Sequence, residues 1–265
     1  MASFQTRGAT LDYDVAGTIG PLVVQLHGLT SSRERDGQLG LNLARALRGH
    51  RILRYDARGH GRSTGTLDEA DYSWPSLADD LLALLDQVAP GERVHGVGPS
   101  MGTGTLLHAS VKDPGRFRSL TLVTPPTAWQ TRVQQSQTYL ANASMVEQEG
   151  IAAFVERGST APSPPALADA PETSIEVPQS LLPTVMRGAA ATDLPEKKAL
   201  AAVEVPTLVL AWSGDRSHPL TTAQQLHARM PRSRIEVART PYGIMAWPGL
   251  FAEFIATVDK ADLVA

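Results

Sequence analysis

Short apolar runs alternate with longer stretches of helical period along the chain. Pro21-Leu-Val-Val-Gln-Leu26, Arg51-Ile-Leu-Arg-Tyr55, Arg93-Val-His-Gly-Val97, Leu120-Thr-Leu-Val-Thr124, Thr207-Leu-Val-Leu-Ala-Trp212 and Arg234-Ile-Glu-Val-Ala238 have strand length. Most are apolar at successive positions, the pattern of parallel strands buried on both faces. Between them, residues 39–47, 77–88, 101–111, 222–230 and 247–258 space their apolar residues by three and four and predict helices, with Ser76 as N-cap of the second. Thr10 to Ala16 alternates polar and apolar positions and predicts an antiparallel edge strand. Strand–helix alternation implies an α/β fold, a mostly parallel sheet flanked by helices.

The alternation stops once. Residues 129–203 hold no core-strand run, but they hold helical pieces at 134–141, 145–155 and 179–186 and a Pro/Ala/Ser-rich link from Thr160. The expected organisation is a core of residues 1–128 and 204–265, with 129–203 inserted as a helical cap over the sheet's C-terminal edge.

Composition narrows the function classes. The 265 residues carry 24 basic and 27 acidic side chains, a formal charge of −3, so nothing points to nucleic acid or an anionic surface. Cysteine is absent, which removes disulfides, thiol catalysis and thiolate-bound metal, and fits a reducing cytoplasm. No run approaches a membrane span, and Met1 to Arg7 lacks the pattern of a signal peptide. Asn142-Ala143-Ser144 matches a glycosylation sequon, which without a secretion signal is read as chance. The seven histidines show no i, i+4 pairing, so no metal or cofactor is expected.

The chemistry concentrates at Gly98-Pro99-Ser100-Met101-Gly102, between a predicted strand and a predicted helix. A serine on such a sharp turn projects above the sheet, and glycines two residues to either side admit the crossing backbone. The helix N-terminus behind it offers N–H groups and a positive dipole end to a developing oxyanion. Gly96-Val97-Gly98 does not extend to a dinucleotide fingerprint, because Met101 stands where a third glycine belongs.

With these motifs the chain resembles the α/β-hydrolase fold superfamily, and the resemblance runs over nearly its whole length. His27-Gly28-Leu29-Thr30 resembles the family's oxyanion loop, Asp56-Ala57-Arg58-Gly59-His60-Gly61-Arg62-Ser63 its D-x-R-G-x-G-x-S turn, and Gly214-Asp215 with Pro219 its catalytic-acid loop. The resemblance implies an eight-stranded-type sheet, Ser100 as nucleophile, Asp215 as the acid that orients a histidine, and the N–H groups of Leu29 and Met101 as oxyanion hole. It also implies structural roles for His27, Arg58 and His60.

The family's histidine should follow the last strand. There the chain reads Thr240-Pro-Tyr-Gly-Ile-Met-Ala-Trp-Pro248, and no histidine lies beyond His227. A serine without an adjacent base is a poor nucleophile. Three groups are candidates to stand in: His218, three residues past Asp215; His60; and Tyr242, as hydrogen-bond donor or acid. The expected substrate is a small apolar ester or lactone, with Thr30, Trp129 and Met245 as binding residues and Met101, Pro125, Pro126 and Trp212 as further neighbours of an apolar chamber. The competing readings are a non-hydrolytic enzyme on the same scaffold (a lyase, cyclase or isomerase) and an inactive binding protein.

Overall fold

A computed structural model describes residues 2–160 and 164–263. Eight strands form one sheet: β1 (Ala2–Thr6), β2 (Ala9–Ala16), β3 (Leu22–Gln25), β4 (Arg51–Tyr55), β5 (Val94–Pro99), β6 (Phe117–Val123), β7 (Thr207–Trp212) and β8 (Ser233–Ala238), in the order β1-β2-β4-β3-β5-β6-β7-β8. β1–β2 and β2–β4 pair antiparallel and the remaining neighbours parallel. The helices are α1 (Arg33–Gln38), α2 (Trp74–Val88), α3 (Met101–Lys112), α4 (Arg132–Glu149), α5 (Ile151–Ser159), α6 (Leu182–Ala190), α7 (Lys197–Ala201), α8 (Leu220–His227), α9 (Pro241–Met245) and α10 (Trp247–Asp262). None is long and apolar enough to cross a membrane among the described residues.

The apolar runs are buried on both faces because successive residues feed two cores. Val24, Leu122 and Val209 pack with Leu81, Leu84 and Leu107 of α2 and α3 on one side. Val23, Val97, Leu208 and Leu210 pack with Trp247, Phe251 and Ile255 of α10 on the other.

Several local expectations are corrected. β2 is not the edge strand, since β1 covers it in antiparallel register. The helix expected over 39–47 is replaced by α1 and a 3-10 turn at Leu43–Ala46. Gly40 between them sits at φ +73°, a conformation no helix continues through, and Ser32 caps α1 by accepting from the Arg35 N–H. The N-cap of α2 is Ser73, not Ser76; the Ser76 hydroxyl turns back to the Ala70 carbonyl at 2.8 Å. The two pieces expected at 134–141 and 145–155 become α4 and α5, joined at Gly150. The sequon, read as a chance match, falls inside α4.

Between β6 and β7 the described residues form helices and turns and no strand. Part of the proline-rich link, residues 161–163, lies outside the described residues; Pro165–Leu167 forms a 3-10 turn. This segment meets the C-terminal ends of the strands. The Glu176 N–H donates to the Thr30 carbonyl at 2.9 Å and the Gly61 N–H to the Glu176 carbonyl at 2.7 Å. Leu29 packs against both the main core and the cluster of Val146, Leu182 and Val185 from the helical segment.

Candidate active site

Ser100 stands between β5 and α3 with φ 50° and ψ −110°, a strained conformation for a residue with a Cβ. Among described non-glycine residues only Thr30, Ser100, Thr124 and Trp129 have positive φ, and the first three lie in turns just past the ends of β3, β5 and β6. Such strain concentrates where a site is built, because surrounding packing must hold it. The turn closes only around small residues. A Cβ on Gly102 would lie 2.9 Å from Leu26 Cβ, and one on Gly98 2.9 Å from the Gly102 carbonyl carbon. Ser100 itself is half-buried.

Asp215 follows β7 in a tight turn. Its Oδ1 accepts the N–H groups of Ser217 at 2.8 Å and His218 at 3.3 Å, which curls the loop back on itself. That curl brings the His218 ring beside its own carboxylate, with Nδ1 2.7 Å from Asp215 Oδ2, and points Nε2 at Ser100 Oγ, 2.8 Å away. A carboxylate only accepts, so Nδ1 carries the proton; Nε2 is then an acceptor and Ser100 donates to it. Position 218 is three residues from the acid, and β7 lies two strands from β5, about 10 Å in the sheet, whereas β8 lies three strands away. The imidazole thus reaches the serine from the acid's own loop.

Trp212 holds the acid from behind, its indole N–H donating to Asp215 Oδ2 at 2.8 Å. The Trp212 ring meets His218 edge-on at 5.8 Å and stacks on Trp247 at 6.0 Å. This role of Trp212 was not legible in the sequence, where it reads equally as core or as pocket lining. Burial pushes the Asp215 carboxyl up, but the His218 hydrogen bond and charge, the Ser217 N–H and the Trp212 indole outweigh it and bring it down from 3.8 to about 2. A depressed carboxyl contributes stability above its unfolded pKa and loses it as pH falls through the folded one. The contribution, about 2 kcal/mol, is therefore full above about pH 4 and declines toward pH 2. Urea unfolding should show that this acid-sensitive part is missing from Asp215→Asn.

The other stand-ins are not at the serine. His60 is 1% exposed, its Nδ1 donates to the Arg58 carbonyl at 2.9 Å, and its ring packs on His27 at 5.2 Å. Burial and the neighbouring His27 lower its pKa to about 3. Tyr242 is 81% exposed on α9, which corrects the expectation of a phenol in the site. Met245 on the same short helix is 74% exposed and lines no enclosed chamber. Trp129 is committed to packing: its indole N–H donates to the Pro195 carbonyl at 3.2 Å, and Lys197 lies over its ring at 4.8 Å.

His27 stitches two loops, Nδ1 donating to the Gly28 carbonyl and Nε2 accepting the Ala57 N–H at 2.9 Å. That bond sets Gly28-Leu29-Thr30 above Ser100; a Cβ on Gly28 would be 3.7 Å from Ser100 Cβ. Thr30 is fixed through its carbonyl, which accepts from Arg35 Nη1 at 2.9 Å. Met101 opens α3, where first-turn N–H groups have no intrahelical acceptor. Cavities of about 340 and 560 Å³ lie elsewhere, against Arg93 and Arg232 and against Leu67 and Pro183; the apolar chamber expected at Ser100 is neither of them.

A family model described as the alpha/beta hydrolase fold matches residues 21–143, the stretch that carries the oxyanion-type loop and the Ser100 turn. This chain has the α/β-hydrolase fold. A putative carbamate hydrolase RutD from Variovorax paradoxus is 34% identical over 149 residues, which span 55% of this chain and 53% of that protein. The 3-oxoadipate enol-lactonase 1 of Acinetobacter baylyi is 26% identical over 71% of this chain and 70% of its own. The crystal structure of the enol-lactonase from Burkholderia xenovorans superposes with a TM-score of 0.76 at 21% identity, over 97% of this chain and 98% of that one. That superposition establishes the shared α/β-hydrolase fold and nothing of the chemistry.

Proposed function

We propose that the chain is a serine hydrolase of small apolar esters or lactones in which His218 replaces the histidine that family members place after the last strand. One observation carries the reading: an unbroken hydrogen-bonded line from Ser100 through His218 to Asp215. Ser100 Oγ attacks the carbonyl carbon while His218 Nε2 takes its proton. Asp215 stabilises the imidazolium and holds the ring. The N–H groups of Leu29 and Met101 receive the tetrahedral oxyanion, which then collapses. His218 returns the proton to the leaving alkoxide, and an acyl group remains on Ser100. Water attacks that acyl carbon with His218 again as base, releasing the acid and restoring the serine.

Residues 129–203 serve as a cap over the site, with Thr30 and the cap's inner face meeting a small-molecule substrate in a cytoplasmic setting. The names of the relatives, a carbamate hydrolase and an enol-lactonase, support hydrolysis over a non-hydrolytic reaction and suggest the panel to try. A fluorophosphonate probe should label the wild type at Ser100 and leave Ser100→Ala untouched. Short activated esters, lactones and carbamates should then rank the substrate classes. A wild type that neither takes the probe nor turns over any of the panel would leave the non-hydrolytic or binding reading in its place.

A further inference from the structure

At the opposite end of the sheet, three residues far apart in sequence converge. His95 is the second residue of β5, His50 immediately precedes β4, and Asp259 lies on α10. One ligand atom from each lies within 4.8 Å of the others. His95 Nε2 is 3.0 Å from Asp259 Oδ1 and His50 Nε2 is 2.9 Å from Asp259 Oδ2. Five residues of β5 and its turn separate His95 from Ser100, about 17 Å, so this cluster is independent of the catalytic line.

The hydrogen bonds behind the ligand atoms decide what the cluster can hold. His50 Nδ1 faces the Arg48 carbonyl at 3.0 Å. A carbonyl only accepts, so Nδ1 carries a proton, and Nε2 faces the carboxylate oxygen either with a proton of its own or with its lone pair. Two lone pairs that face each other repel unless a cation, a proton or a metal ion, stands between them. His95 Nδ1 lies 2.7 Å from Ser119 Oγ, a hydroxyl that accepts from one tautomer of the ring and donates to the other; with the proton on Nδ1, Nε2 presents its lone pair to the carboxylate. Each imidazole has a hydrogen-bond partner behind the nitrogen that faces the cluster, as metal-ligating histidines commonly do. Arg118 is the cation closest to the carboxylate, at 3.9 Å from Oδ1, but its Nη2 is paired with Asp262 at 2.8 Å.

We infer that His50, His95 and Asp259 form a binding site for a divalent transition metal of the zinc class. Imidazole and carboxylate donors favour zinc, cobalt or nickel over calcium and magnesium, and three protein ligands leave a fourth position for water. Such an ion would pin α10, which closes one core of the sheet, to the strand ends.

Equilibrium dialysis against Zn²⁺, followed by elemental analysis, tests the inference. Wild type and His218→Ala should each retain a single equivalent, since the catalytic imidazole is not a ligand. His50→Ala should weaken binding by about 100-fold or more, and Ser119→Ala by roughly 10- to 100-fold through loss of the outer partner of His95. Co²⁺ in place of Zn²⁺ should give the visible bands of a low-symmetry site in wild type and not in His50→Ala. His50 is at the surface end of the cluster, and its loss should leave the circular dichroism spectrum and reaction with the fluorophosphonate unchanged. Absence of saturable Zn²⁺ binding in wild type would overturn the inference and leave a shared proton as the cation. Undiminished binding in His50→Ala would overturn it equally.

Discussion

His218→Ala is expected to lower kcat on a short-chain activated ester by about 10⁴-fold, with KM changed little. The imidazole touches the serine oxygen at 2.8 Å and nothing else in the described structure offers Ser100 a base. In the proposed mechanism it acts in the transition state, where it accepts the proton, and substrate binding does not depend on it. The residual rate would come from the oxyanion groups and from binding. Because the three side chains act as a unit, adding Ser100→Ala to His218→Ala should cost little more. Asp215→Asn should fall nearly as far, since an amide can present its N–H to Nδ1 and stabilise the wrong tautomer. Steady-state kinetics on the purified variants decides this. If His218→Ala keeps its rate within about 10-fold of wild type, general-base help worth 10²–10⁴ is coming from elsewhere.

The largest expected loss of stability is at Arg58. Its guanidinium is 3% exposed and reaches Asp80 through two bonds of 2.8 Å, Asp71 at 3.0 Å and the Arg7 carbonyl at 3.0 Å. Asp80 and Asp71 are themselves 4% and 5% exposed. Removing the cation leaves the buried Asp80 carboxylate without its ion-pair partner, while Asp71 keeps Arg7 at 3.1 Å; breaking a buried pair typically costs about 3–5 kcal/mol. Arg58→Ala should therefore shift the urea midpoint far to lower denaturant without a change in slope. Arg58 does not touch Ser100, so the rate per folded molecule should persist. A shift smaller than about 1 kcal/mol would mean that water replaces the guanidinium in this turn.

The sheet was largely legible because buried parallel strands must be apolar at consecutive positions, and most of the six runs of strand length are. The misreadings have local causes. Residues 39–47 have helical spacing, yet Gly40 at positive φ and the Ser32 cap shift the helix to Arg33–Gln38. The first strand was missed because only one of its faces meets the protein: Ala2 to Thr6 is mostly exposed and lacks an apolar run. Tyr242 and Met245 are expected at the site from their place after the last strand and before Trp247-Pro248, but sequence position gives no side-chain direction, and both side chains face solvent.

Sequence alone determined the α/β layering, the serine on its turn and the absence of a histidine after the last strand, since each rests on period, spacing or residue identity within a few positions. Which imidazole lies against Ser100 was decided by tertiary structure. The choice depends on how the loop after β7 curls around Asp215 and on the two-strand gap it must span, and neither is written in a short stretch of sequence. The same holds for His50, His95 and Asp259, whose convergence requires the sheet and α10 to be packed together first.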